Sequence, residues 1–511
     1  MQNKKMRIVA IACILALMLS LAACGSSAPA STGNTESASE PAKSYDQVTF
    51  AYATFNNIPT AENLAPVEEA INVITREKIG VEVKLMPISI ADYVSKVSLG
   101  LQGGEKIDIF ESLGNYGTGV AGDMAYDITE LVDQYAVGTK EALGEEIMNA
   151  ARVNGKLYGI PTYKPFALTP MLIYRQDIAD ELGLDIDGLQ DVFGVTEILR
   201  AVKEAKPDMT PLAPVSAGTI GLNMCMGDVD WLSDDYYSPV GVLLNDELTA
   251  VDLYSSENFR NIANLARTWH NEGLVMKDAA TTTTMAAEAM TSGNFFGYIA
   301  AYSYPEADTA TSLEAQCGGF PIGAKILDGA YLSTGDINAL TWMVASTTKV
   351  PEAAVKFLDL TFTDAEVINL IIYGLEGRDY VLNEDGTVSY PEGQDSTTVP
   401  YTAQLSCGTM GNFFKMYPMA GTDPESLKWE EEQNREAKKS PAMGFTFDAG
   451  ELKTQYTAVR NVINQYLPGL VCGSLDPETE IDNFIKALND AGYQDILTAK
   501  QTQLDAWLGT K

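Results

Sequence analysis

Asp228 to Tyr237, DVDWLSDDYY, sets Trp231, Tyr236 and Tyr237 among four carboxylates. Aromatic faces beside acceptor oxygens suit the stacking and hydroxyl bonding of a sugar ring. The same residues also suit a solvated acidic loop with its rings turned inward. A second group, Glu111, Ser112, Asn115 and Tyr116, follows directly on the apolar run IDIF and offers a carboxylate, a hydroxyl and an amide in one place. The catalytic inventory is thin by comparison. His270 is the single histidine, so Ser-His-Asp triads and His-rich metal sites are nearly excluded, and on its helix it reads as structural. Gly117 to Gly122, GTGVAG, fits GxGxxG. A dinucleotide fingerprint, however, must open a helix within the first βαβ unit, and here no helix is expected before about Asp127, so the stretch reads as a flexible loop. Asn383 to Gly386, NEDG, lacks the alternating acids and distal Glu of a calcium loop and reads as a hairpin turn.

Gln47 to Ala53 alternates as a strand, 62–78 places Leu64, Val67, Ile71 and Ile74 at helical spacing, and Val81, Val83 and Leu85 alternate again. A helix over 90–102 and a short strand at Ile107 to Phe110 complete βαβαβ, the order of a parallel, doubly wound sheet. Ligands of such sheets sit beyond the carboxyl ends of the strands, where Glu111, Ser112 and Asn115 fall. Asn154 to Asp177 is punctuated by Gly155, Gly159, Pro161, Pro165 and Pro170 before the apolar run Met171 to Tyr174. It reads as a hinge crossing between two lobes, in which a β-branched residue at 159 should alter closure. Downstream, Phe295 to Ala301 reads as a buried strand. Residues 426–440, 451–467 and 479–509 read as helices, the second with Leu452, Tyr456, Val459, Ile463 and Tyr466 on its apolar face.

The chain of 511 residues carries a formal charge of −35, which repels phosphate backbones and anionic lipid and argues against nucleic acid as a partner. At the N-terminus, Lys4, Lys5 and Arg7 precede the apolar Ile8 to Leu21, then Leu21-Ala22-Ala23-Cys24. This is a secretory signal over 1–23. LAAC resembles a lipobox, which implies lipid on Cys24 and anchorage at the outer face of a membrane. Residues 24–44 then form a flexible tether, too poor in large apolar side chains to offset ordering entropy. Cys225, Cys317, Cys407 and Cys472 show no metal-ligand spacing and read as buried or free thiols, although an exported chain permits bridges.

GKLYGIPTYK with LIYRQDIADELGLD, LSTGDINALTWMVASTTKVPEAAVKFLDLTFTD, and YGLEGRDYVLNEDG with the ending SPAMGFTFD…AGYQDILTAKQTQLDAW resemble, in that order, solute-binding proteins of the maltose-binding type. The last pair is similar to a branch of large lipoproteins serving oligosaccharide ABC importers. The resemblance implies a two-lobed, type II periplasmic-binding-protein-like α/β fold with an interlobe cleft and an extra helical C-terminal region. Lobe one would span 45–160, lobe two 161–330, a return to lobe one 331–385, and a helical region associated with lobe two and the hinge 386–511. It implies a non-enzymatic, monomeric protein without cofactor or metal, which delivers a sugar to a permease. By the family's cleft positions the ligand would meet Glu111, Ser112, Asn115, Tyr163, Trp231, Tyr236, Tyr302, Tyr304, Asp336, Asn338 and Glu376. The alternatives are a sugar- or peptide-binding lipoprotein reporting to a membrane sensor and an extracellular glycosidase.

Overall fold

The computed structural model describes residues 44–511 except 56, 57, 217, 235, 283, 304, 315, 404–408 and 510–511. The account below is of the unit Tyr45–Lys511. Cys24, Tyr304 and Cys407 lie outside the described residues. Nine strands build the two larger sheets: β1 Asp46–Thr54, β2 Val81–Ser89, β3 Ile109–Glu111, β4 Gly159–Pro161, β5 Thr169–Arg175, β6 Thr210–Leu212, β7 Phe295–Tyr302, β8 Ile322–Ile326 and β9 Thr341–Val344. The helices that matter for the site are α1 Ala61–Lys78, α2 Ile90–Gly103, α3 Tyr116–Ala121, α4 Thr334–Asn338, α5 Pro424–Glu436, α6 Lys453–Val471, α7 Pro477–Asp490 and α8 Tyr493–Leu508.

In the first sheet the order is β2-β1-β3-β9-β4. β1 runs parallel to β2 and β3, as the βαβαβ order requires. β9 then returns antiparallel to both β3 and β4, so the sheet is mixed rather than wholly parallel. Alternate residues of β1 serve opposite cores: Val48, Phe50 and Tyr52 face one cluster, Ala51 and Ala53 the other. A strand buried on both faces is therefore apolar almost throughout. α1 starts where the Thr60 hydroxyl accepts the Asn63 N–H, and packs Val67 and Ile71 onto the sheet.

In the second sheet the order is β8-β5-β7-β6, with β5 antiparallel to both neighbours and β6 parallel to β7. Leu172 and Tyr174 face a core shared with α6, α7 and α8, while Met171 and Ile173 face the other side. Of the region 386–511, Val388, Tyr401, Phe413 and Leu427 pack with the first sheet, and Val459, Ile463, Phe484 and Leu504 with the second.

Asn154 to Asp177 does leave the first sheet and enter the second, but the join is narrower than its glycines and prolines suggest. Gly159 lies inside β4, where a β-carbon would stand 2.7 Å from Thr341 Cγ2 and 2.8 Å from the Trp342 carbonyl oxygen. Its small size permits close packing against β9, so a β-branched residue there would damage the first sheet rather than tune a hinge. The irregular link is 162–168, and α5 grips it. Asn434 accepts the N–H groups of Phe166 and Ala167 at 2.7 and 3.2 Å and donates to the Lys164 carbonyl at 2.8 Å.

GTGVAG does not form a loop: α3 covers most of it, starting one residue after Asn115. NEDG is a hairpin turn between the antiparallel pair Val381–Leu382 and Val388–Ser389. Cys225, Cys317 and Cys472 are buried free thiols. No helix among the described residues is long and apolar enough to cross a membrane.

Candidate functional site

A cavity of about 530 Å³ is lined only by residues between Gln190 and Gly329 and takes its walls from the second-sheet side alone. A cavity of about 360 Å³ is different, because both sheets' surroundings build it. The first-sheet side contributes Asn115 on the loop after β3, the start of α3, and Asn338 on α4. The other side contributes Ser233 and Asp234 of DVDWLSDDYY, then Thr446, Phe447 and one face of α6. Convergence of polar groups from separate cores marks this cavity as the candidate site.

On the first side, the loop after β3 is tied to α4 by the Gly114 N–H donating to the Ala339 carbonyl at 2.7 Å. Asn115 is exposed and spends its amide N–H on the nearby Leu113 carbonyl at 3.0 Å, leaving its oxygen toward solvent. Asn338 is buried and donates to the Ala150 carbonyl at 2.8 Å, while its Oδ1 has no hydrogen-bond partner. A buried acceptor without a partner costs about 1–3 kcal/mol. A ligand hydroxyl or amide donating to Oδ1 would relieve that cost.

On the second side, Leu232 and Ser233 both take left-handed backbone, φ 47° and 74°, which non-glycine residues rarely adopt. Three groups hold this turn. Asp230 accepts the Leu232 N–H at 2.7 Å and the Ser440 hydroxyl. Ser233 Oγ accepts the Phe447 N–H at 3.0 Å. Lys500, from α8, donates to the Leu232 carbonyl at 3.0 Å and to Asp234 Oδ2 at 2.7 Å, with the two side chains 0% and 3% exposed. Burial pushes the Asp234 carboxyl up and the Lys500 ammonium down from their ordinary values, and their mutual attraction opposes both shifts. The Tyr456 hydroxyl also donates to Asp234, and its ring lies 6.2 Å from that of Phe447. Thr446 Oγ1 is buried with no partner.

Of the residues expected from the sequence, Asn115 and Asn338 line this cavity. Trp231 and Tyr236 are not among its lining residues: both are half-buried, with ring centroids 6.5 Å apart, and the exposed Tyr237 packs on Tyr236. Glu111 does not reach it. Its side chain is buried at the end of β3, both oxygens lack partners, and burial pushes its carboxyl well above the usual range. Ser112 is buried and accepts the Thr341 N–H at 3.2 Å, stitching β3 to β9. Asp336 caps α4 by accepting both the N–H and the hydroxyl of Ser333 at 2.8 Å. Tyr163 lines a separate cavity of about 460 Å³ near the link, where its hydroxyl donates to Glu431 at 3.1 Å. Tyr302 shares a 2.9 Å hydrogen bond with Tyr298 at the end of β7, and Glu376 is exposed on the loop after Gly374.

Sequence reasoning missed Asp234 as the pivot, and with it Lys500, Tyr456 and Thr446. One signal was available: Lys500 falls four residues after Ile496 and four before Leu504, at a core position of α8. A lysine in an apolar register implies a buried carboxylate to meet it. Tyr456 packs against the second-sheet core as its helix pattern implied and also turns its hydroxyl to Asp234.

Residues 69–373 match a family described as bacterial extracellular solute-binding protein, and 441–509 one described as a domain of unknown function. A protein of Streptococcus pneumoniae serotype 4 named as a carbohydrate ABC transporter substrate-binding protein is 24% identical over 521 residues, covering 100% of both chains. Among solved structures, the N-glycan transport solute binding protein NgtS of Streptococcus pneumoniae superposes with a TM-score of 0.76 at 22% identity, over 91% of this chain and 99% of its own. A structure of NgtS in complex with Man5GlcNAc gives 0.68 at 22% identity, over 91% and 99%. The substrate binding protein FusA of Streptococcus pneumoniae in complex with kestose gives 0.60 at 16% identity, over 91% and 100%. These likenesses show a type II solute-binding fold.

Proposed function

The chain belongs to the bacterial extracellular solute-binding proteins, and from that premise we propose that it captures a carbohydrate, an oligosaccharide, in the cavity between its two sheet-centred lobes and delivers it to an ABC transporter permease. The observation that carries this reading is one cavity walled from both sides, by Asn115 and Asn338 on the first and by Asp234, Thr446, Phe447 and Tyr456 on the second. Sugar hydroxyls both donate and accept, so they suit the amide, hydroxyl and carboxylate side chains that line it. Phe447 and Tyr456, both lining the cavity, offer faces for the apolar side of a sugar ring. The printed names of the relatives, carbohydrate and N-glycan transport, support the same class.

Calorimetric titration of residues 45–511 with Man5GlcNAc, kestose and a control peptide tests this. Saturable binding of an oligosaccharide and none of the peptide is expected. Asn115→Ala should weaken binding about 2- to 13-fold, the ~0.5–1.5 kcal/mol net worth of one hydrogen bond. Binding of the peptide alone would refute the carbohydrate reading.

Cys24 is the anchoring residue in this proposal. Its support is the charged, apolar and small-residue order of 1–24 and the Ser- and Ala-rich stretch before the folded unit. Cys24→Ser should move the protein from the membrane fraction to the medium, and retention at the membrane would remove the lipid from the account.

A further inference from the structure

We infer that residues 441–509, the segment matched only to a domain of unknown function, form the ligand-selecting wall of this cavity, with Thr446, Phe447 and Tyr456 as its contact residues. The inference rests on the cavity being the solute site. α6 carries two faces. Val459, Ile463, Leu467 and Leu470 enter the second-sheet core, while Lys453, Tyr456, Thr457 and Arg460, spaced as one helical stripe, turn to the cavity. The stretch just before α6 adds Thr446 and Phe447.

The opposite wall is mostly small: beyond Thr118, Thr334 and the buried Tyr116, whose hydroxyl is held by the Ala151 carbonyl, it is short side chains and backbone. Gly114, Gly117, Gly335 and Ala339 supply little beyond backbone, and Asn115 and Asn338 present amides that any hydroxyl-bearing ligand satisfies. Discrimination by shape therefore falls to the larger side chains of 441–509. Discrimination by hydrogen bonding falls to Thr446, which lines the cavity and whose buried Oγ1 has no partner within the protein. A site built to bond a ligand hydroxyl rejects a ligand that lacks one there far more strongly than an apolar pocket rejects a change of size.

The same segment fixes its own contact residues. Lys500 on α8 pairs with Asp234, Asp234 accepts the Tyr456 hydroxyl, and the Lys500 ammonium lies 5.3 Å from the centre of the Phe447 ring. Both rings that face the ligand are thus located by one buried ion pair. The ligand class that suits this wall is an uncharged sugar unit with one apolar ring face and a hydroxyl beside it. Lys453 and Arg460 hold their own contacts at the rim: Lys453 donates to the Ala121 carbonyl at 3.2 Å and Arg460 to Ser238.

Dissociation constants for Man5GlcNAc and kestose, measured on the wild type and on Thr446→Val, Tyr456→Leu and Asn115→Ala, test the assignment. Thr446→Val keeps the side-chain shape, so it carries the test even where Tyr456→Leu fails to fold. The expected result is a change of at least fivefold in the ratio of the two constants for Thr446→Val and Tyr456→Leu, while Asn115→Ala weakens both probes alike. If Asn115→Ala weakens binding and Thr446→Val binds both probes as the wild type does, 441–509 is scaffold and the inference falls while the site stands. If wild-type binding is seen and no variant alters it, the cavity is not the site and both fall. Absence of wild-type binding to either probe likewise overturns both.

Discussion

Lys500→Met is expected to lower stability by about 3–5 kcal/mol, the usual consequence of removing one partner from a buried ion pair. The loss comes from what remains. Asp234, with its side chain 3% exposed, would keep the Tyr456 hydroxyl, the Val240 N–H at 2.7 Å and the Arg460 charge to meet it, and lose its directly bonded cation. The Leu232 and Gly241 carbonyls would lose their donor as well. Because Leu232 and Ser233 already hold left-handed backbone, the turn has little tolerance for that loss. The denaturation midpoint of the variant checks the size. Adding Asp234→Asn removes the stranded charge, so the double variant should be more stable than Lys500→Met alone. A cost below about 1 kcal/mol for Lys500→Met would place this pair with exposed ion pairs of little consequence.

Glu430→Gln is expected to stabilise the protein at pH 8 and to leave it nearly unchanged at pH 4.5. Glu430 is 1% exposed on α5, its Oε1 accepts the Ser303 hydroxyl, and its Oε2 has no partner. Burial raises its carboxyl from 4.5 to about 7. Between these values the folded chain holds a proton that the unfolded chain has released. The stability carried by that proton is therefore complete below pH 4.5 and is lost as pH rises through 7. At about 1.4 kcal/mol per pH unit the span amounts to about 3 kcal/mol, which glutamine, neutral throughout, would retain. Thermal unfolding of both proteins across pH 4.5–8 reads it. A constant difference across that range would mean that Glu430 does not titrate between 4.5 and 7.

Periodicity made the first sheet legible: alternation in Gln47 to Ala53 and Val81 to Leu85, with helical spacing between them, is the record of a strand and helix packed together. The resemblance implied a return to the first lobe over 331–385, but the antiparallel direction of β9 within it was not legible, because strand direction is set by partners distant in sequence. Gly159 was misread for a related reason. A glycine that admits a neighbouring strand and a glycine that bends a hinge are the same letter, and only the Thr341 and Trp342 atoms beside it separate them. In GTGVAG, low helix propensity was outweighed by packing of Tyr116, whose hydroxyl donates to the Ala151 carbonyl at 2.5 Å.

The candidate site divided along similar lines. Asn115 was found because it follows the third strand, a position that topology makes accessible. Glu111, three and four residues from Gly114 and Asn115, occupies the same stretch, yet the pleat turns it inward. Asp336 looked free to bind and is spent on the first turn of α4. Tyr456 and Lys500 were missed since they meet Asp234 only through folding of the C-terminal helices, and no spacing along the chain records that meeting.

Hydrogen exchange of residues 45–511 with and without saturating Man5GlcNAc, or kestose where that binds instead, locates the ligand. Added protection should fall on 114–118, 334–339 and 446–460 together, the two walls of the 360 Å³ cavity. Protection confined to 190–193, 225–227 and 326–329, around the larger cavity, would contradict the proposed site.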